Sequence, residues 1–197
     1  MAEAPDEESR VALDPKAMRV LAHPIRSRLL SELRMEGPAN ATALARALDT
    51  NTGATSYHLR KLAEVGLVEE TDDGQGRERW WRATHNRHSW DASTVVDDPD
   101  GQAAASWLEQ EYLRRFVELA QGWLRDKDRW PLDWRDAAGQ SDYLLRLSPG
   151  RLQALKAELY AVLERYGAAE PDEDEPDEGT RTFIYLNAFP DYRGERR

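Results

Sequence analysis

A chain of 197 residues, 40% hydrophobic and 32% charged, has room for one domain or two small ones with a real core. It holds no run of about eighteen apolar residues, which argues against a membrane-spanning helix. It holds no cysteine, which excludes disulfides, thiolate catalysis and thiolate metal sites. The acidic opening from Met1 to Glu8 lacks the apolar stretch of a signal peptide, so the expected location is cytoplasmic.

The net charge of −10 argues against a nucleic-acid partner until its distribution is read. Residues 1–14 carry one basic side chain against five acidic ones, and residues 90–197 carry fourteen against twenty-three. Residues 15–89 reverse the balance, with twelve basic against nine acidic. Binding responds to local potential, so this asymmetry fits a nucleic-acid module joined to a different kind of module.

In chain order, residues 1–12 are expected to be a disordered tail. Asp14-Pro15 supplies an N-cap and a proline at the first helical position, predicting a helix to about Leu21. His23-Pro24 starts a second helix, with Ile25, Leu29, Leu30 and Leu33 on one face, and Gly37-Pro38 ends it. Asn40 caps a third helix, 41–48, and Asp49-Thr50-Asn51 turn the chain into a fourth, 52–65, stopped at Gly66. Leu67–Thr71 and Arg77–Thr84 read as strands joined by the turn residues 72–76. Residues 85–100 read as linker. A long helix, 102–129, carries Leu108, Tyr112, Leu113, Phe116, Leu119, Ala120 and Trp123 on one face, with Trp107 opposite. A strand at 142–147, a helix at 149–166, an acidic linker at 169–179 and a strand at 182–189 complete the expected order.

Helix, three-residue turn, helix and Gly-containing hairpin within residues 40–84 form the distinctive constellation. A helix-turn-helix lays its second helix in the major groove, where base edges offer a readable donor and acceptor pattern. On the wheel of residues 52–65, Thr55, Leu59, Leu62 and Ala63 share the face that must pack inward. Thr52 and Gly53 open the helix. With Ser56 and Tyr57, which can bond to bases or phosphates, they form a short polar surface for close approach to bases; one turn later Arg60 can contact either and Lys61 reads as a phosphate contact. Arg77 and Arg79 on the returning strand make a basic wing, and Trp80 is expected to point inward.

The segment His-Pro-Ile-Arg-Ser-Arg-Leu-Leu (23–30) resembles the second helix of the ArsR-type winged-helix repressors. Thr-Ser-Tyr-His-Leu-Arg-Lys-Leu-Ala-Glu-Val-Gly-Leu-Val (55–68) is similar to their recognition helix running into the first wing strand, and Arg-Glu-Arg-Trp-Trp-Arg-Ala (77–83) to the second. The resemblance covers residues 14–84. It implies a homodimeric repressor on a pseudo-palindromic stretch of double-stranded DNA, with Ser56 and Tyr57 facing DNA. His58 matches the histidine of the signature but sits near the buried side of the wheel and is given no DNA role. The family's metal ligands are missing here: the third helix, Ala-Thr-Ala-Leu-Ala-Arg-Ala-Leu, holds only the weak Thr42 hydroxyl, and the helix 102–129 has no histidine. No metal and no cofactor is expected.

Plainer readings stand beside these. Some winged helices are protein-interaction modules without an operator. His85 and His88 have the spacing of a metal pair, but a pair in a linker without carboxylate or cysteine partners is more often surface. Trp107, Trp123, Trp130 and Trp134 can line a ligand pocket, although such stripes are more often core or dimer interface. No phosphate loop, nucleophile elbow or paired-carboxylate motif points to an enzyme.

The expected architecture is mainly α with small β: a winged helix-turn-helix over 13–84, then a mainly helical region, 101–197, with one or two short strands. That region is expected to dimerise through Leu108, Tyr112, Leu113, Phe116, Leu119 and Trp123, and it leaves room for an unknown small-molecule effector.

Overall fold

The computed structural model describes residues 10–71, 78–168 and 180–191. The chain divides into two compact units, one ending at Val117 and the other beginning at Glu118.

The first unit opens with a three-residue strand, β1 (Arg10–Ala12), and two short helices, α1 (Pro15–Leu21) and α2 (Pro24–Glu36). Each helix starts as its sequence dictates: Asp14 Oδ1 accepts from the Ala17 N–H at 2.7 Å, and His23 Nδ1 from the Ile25 N–H at 3.2 Å, with proline at the first helical position in both. A two-residue strand, β2 (Ala39–Asn40), leads into α3 (Ala41–Ala47) and α4 (Thr52–Ala63). Asn40 and Asn51 cap these helices through their side-chain oxygens, at 2.8 Å from the Ala43 and Ala54 N–H groups.

The turn between α3 and α4 depends on Asp49, whose φ of 52° is left-handed. The Thr50 N–H reaches back to the Ala45 carbonyl at 2.9 Å and closes the end of α3. Gly66, with φ 69°, does the same after α4: the Leu67 N–H donates to the Leu62 carbonyl and the Gly66 N–H to that of Ala63. The chain then enters β3 (Val68–Thr71) and returns as β4 (Trp80–Ala83). β4 lies between β3 and β2, antiparallel to both, with Val68 opposite Ala83 and Ala39 opposite Trp81.

Leu29, Leu30 and Leu33 of α2, Leu44 of α3, and Leu59 and Leu62 of α4 meet with Met18, Leu21, Leu67 and Val68 in one buried core. Full burial of each such side chain is worth about 1.5–3 kcal/mol relative to exposure. Trp81, 4% exposed, is the indole that enters this core, whereas Trp80, expected to point inward, is only half-buried. Alternation along a strand allows only one of two neighbours to face the helices.

Residues 85–100 are not bare connection. β5 (Arg87–Ser89) pairs in parallel with β1, a 3₁₀ turn covers 92–95, and helix α5 begins at Pro99. Residues 10–12, expected within a disordered tail, are held by that pairing, and Leu13 beside them is buried. α5 runs from Pro99 to Asp126 and crosses from the first unit into the second. Its first turns belong to the core: Ala104, Ala105 and Leu108 are buried, and Trp107 and Tyr112 pack against the same cluster. Trp107, expected opposite the packed face, therefore joins it. Arg19 of α1 pairs with Asp98 at 2.5 Å, and Asp98 Oδ1 accepts from the Gly101 N–H at 3.0 Å. A Cβ on Gly101 would lie 2.6 Å from Asp98 Oδ2 and 2.7 Å from Val95 Cγ1, so glycine allows this close approach.

The second unit contains the rest of α5, a 3₁₀ turn at 127–129, α6 (Leu132–Ala137) and α7 (Pro149–Ala168). Trp123, Trp130 and Trp134 stack edge-to-face in sequence, with ring centroids 6.0 and 5.9 Å apart. Helix α6 was not expected. Residues 142–147 and 182–189, expected as strands, join neither of the two sheets found among the described residues. The acidic stretch 169–179 lies outside the described residues.

Candidate nucleic-acid interface

α4 presents two faces of opposite character. Thr55, His58, Leu59 and Leu62 are buried, fixing the helix against the core. Thr52, Gly53 and Arg60 are exposed, Tyr57 is 50% exposed, and Ser56 and Lys61 are half-buried. Of the residues expected inward, Thr55, Leu59 and Leu62 are buried and Ala63 is half-buried, and His58 lies on the inner side. Its ring lies 4.7 Å from that of His23, and desolvation by burial lowers the pKa of both.

The outward face continues beyond the helix. Ser56, Arg60 and Thr52 line an open hollow of about 330 Å³ together with Asn40 and Thr42 at the start of α3 and Arg79 at the root of β4. The turn set by Asp49 brings the N-termini of α3 and α4 to one side, and β4 adds the wing arginine beside them. Arg77 lies outside the described residues. Asn40 and Thr42 were missed as surface residues: Asn40 was visible as a cap, but its Nδ2 also donates to Glu78 Oε2 at 2.7 Å.

Several cations at this surface are held by neighbouring carboxylates. Arg79 pairs with Glu70 at 2.7 Å across the hairpin, Arg82 with Glu69 at 2.7 Å, and Lys61 with Glu64 at 2.8 Å. Lys61 Nζ also sits 5.9 Å above the Tyr57 ring, and its bond to Glu64 raises its pKa. Each pair is solvent-exposed and strongly screened, so it gives way readily to a phosphate. Arg82 was not singled out in the sequence; the β3–β4 register, which sets it opposite Glu69, reveals it.

His85 and His88 are not surface residues. His85 is 3% exposed, its Nε2 lies 3.0 Å from His88 Nδ1, and His88 Nε2 bonds the Tyr112 hydroxyl. Arg34 approaches His88 Nδ1 at 3.4 Å. Desolvation, then Arg34, push His85 down to about 4 and His88 to about 3, while burial raises Tyr112. The adjacent guanidinium opposes a bound cation, so this neutral network ties β5 and α2 to α5 rather than offering a metal site.

The residues expected at a dimer surface divide. Leu108 is fully buried in its own chain and Tyr112 packs on the same core, so Leu108 is withdrawn as a dimer contact. Leu113 is 59% exposed, and Phe116, Leu119 and Trp123 are half-buried.

Residues 21–71 match a family model described as a helix-turn-helix domain. None of the curated proteins matches the chain. Among solved structures, the chain is similar to a protein described as a possible transcriptional regulator for arsenical resistance, at 30% identity over 52% of this chain and 94% of that one, with a TM-score of 0.32. It is similar at 24% identity to an ArsR-like transcriptional regulator from Rhodococcus sp. RHA1, over 54% of this chain and 88% of that one, with a TM-score of 0.31. A homodimeric winged helix-turn-helix DNA-binding domain from Mycobacterium bovis, described as from a possible ArsR-family regulator, matches at 23% identity over 46% and 76%, with a TM-score of 0.32.

Proposed function

We propose that this chain, which belongs to the ArsR-type winged helix-turn-helix transcription regulators, is a sequence-specific repressor that binds a pseudo-palindromic operator as a homodimer in the cytoplasm. The DNA-binding surface is the outward face of α4 with the wing: Gly53 lets the backbone come near, Thr52, Ser56 and Tyr57 contact base edges, Arg60 contacts base or phosphate, and Lys61, Arg77 and Arg79 hold phosphates. The observation that carries this reading is the gathering of Thr52, Ser56, Arg60 and Arg79 around one open hollow beside two helix N-termini, from positions 27 residues apart in sequence. Residues 13–84 serve as the DNA-binding domain, and residues 101–197 dimerise and hold any small-molecule effector site. The homodimeric description of the Mycobacterium bovis domain supports two copies per operator. Leu113, Phe116, Leu119 and Trp123 supply apolar contact between them.

The test is DNA affinity of Arg60→Ala and Arg79→Ala at two salt concentrations. Each loses about 1–3 kcal/mol of binding, and each phosphate contact removed lowers the salt slope by about one. Two variants that bind like the unaltered chain, with the same slope, would remove this surface from the account.

A further inference from the structure

The open hollow beside α4 holds one side chain of the wrong sign for a phosphate. Arg60 of α4 and Arg79 at the root of β4 line it as cations, and Thr42 and Ser56 add hydroxyls, but Glu78 lines it as well. A carboxylate there repels a phosphate as one negative charge repels another. It accepts hydrogen bonds and donates none, so the group that suits it is a donor.

Glu78 is held in place although it is exposed. Asn40 Nδ2 donates to Glu78 Oε2 at 2.7 Å, while Asn40 Oδ1 accepts from the Ala43 N–H at 2.8 Å as the cap of α3. The cap decides which end of the amide is which. Its oxygen must face the Ala43 N–H, so its nitrogen faces the carboxylate. Arg79, next in sequence, is paired with Glu70 at 2.7 Å across the hairpin. The bond from Asn40 uses one of the roughly four lone-pair sites of a carboxylate. Glu78 therefore meets a ligand already oriented and still able to accept, and little side-chain freedom is lost on contact.

In the major groove the donors on base edges are the N4 amino group of cytosine and the N6 amino group of adenine. Adenine also presents N7, an acceptor, beside that amino group, and it would face the second carboxylate oxygen unfavourably. The edge of cytosine presents the amino group alone. We propose that Glu78 reads one cytosine in each operator half-site by accepting from its N4 amino group, with Asn40 as the residue that positions it. The inference rests on the DNA-binding reading of this surface and adds to it a base contact from the wing root.

The experiment is selection from a random duplex library with the full chain and with Glu78→Ala and Glu78→Gln, followed by affinity for the selected site and for its single-pair replacements. The unaltered chain should prefer cytosine at one position of each half-site by at least about fivefold. Both variants should lose that preference while keeping the rest of the motif and their affinity for random duplex. Glutamine fails because Asn40 would hold its oxygen and turn its amide nitrogen, a donor, toward the base. Asn40→Ser, which keeps a capping oxygen but removes the amide donor, should weaken the preference at the same position. A motif unchanged in the Glu78 variants, cytosine retained by Glu78→Gln, or affinity lost for all sequences alike overturns the inference and leaves the operator reading intact. Full preference in Asn40→Ser overturns positioning by Asn40. An unaltered chain that enriches no motif removes the operator reading and this inference together.

Discussion

At the scale of single residues, the wing and recognition cations carry their own counter-charges. Arg79 with Glu70 and Arg82 with Glu69 are pairs set by the β3–β4 register, so the carboxylates lie on the proposed DNA surface. This moderates attraction to any phosphate chain and leaves more of the affinity to contacts made only on a matching sequence. Glu70→Gln should therefore strengthen binding to random duplex about two- to tenfold and steepen its salt dependence, with a smaller gain on the operator. Equal gains on both, or none, would show that Glu70 does not tune selectivity. The outward residues of α4 were legible in sequence because a helix wheel needs only local spacing. Glu78 beside Asn40 was not, because that 2.7 Å contact spans 38 residues.

At the scale of elements, the caps and stops were the most legible features. Asp14, Asn40 and Gly66 act at helix ends as expected, each within a few residues, while Asn51, read only as part of the turn, caps α4. The parallel β1–β5 pair was invisible, since three-residue strands 77 positions apart leave no periodicity. His85 and His88 were misread for the same reason: their partners Tyr112 and Arg34 come from distant helices. Their burial has a pH consequence. Both folded-state values are depressed, so the unfolded chain binds protons that the fold refuses, and stability is lost as pH falls. The loss begins near the ordinary value of 6.5 and continues toward about 4 for His85 and about 3 for His88. Its slope is at most about 1.4 kcal/mol per pH unit for each histidine. Urea unfolding between pH 7 and 4 measures it. His88→Gln should flatten the dependence, and an equally steep profile in that variant would place the proton uptake elsewhere.

At the scale of the molecule, residues 15–89 are locally basic within a chain of net charge −10, which is the distribution the proposed DNA contact requires. The fold class of the first 84 residues could be read because helix periodicity, caps and hairpin turns agree with one another. The second unit was harder. Its strand patterns at 142–147 and 182–189 are present in the sequence, yet neither segment joins either sheet found among the described residues. The packing of α5 shows the same limit: its apolar stripe was legible, but not which part serves the chain's own core. Leu108 is buried there and Leu113 is 59% exposed, a division set by where the first unit ends.

The most direct test of the central claim is selection from a random duplex DNA library with the full chain, followed by affinity for the enriched sequence at two salt concentrations. The account predicts an enriched pseudo-palindrome whose half-sites lie about one helical turn, roughly 34 Å, apart, with affinity falling steeply as salt rises. No enrichment at any salt by a folded protein would contradict it.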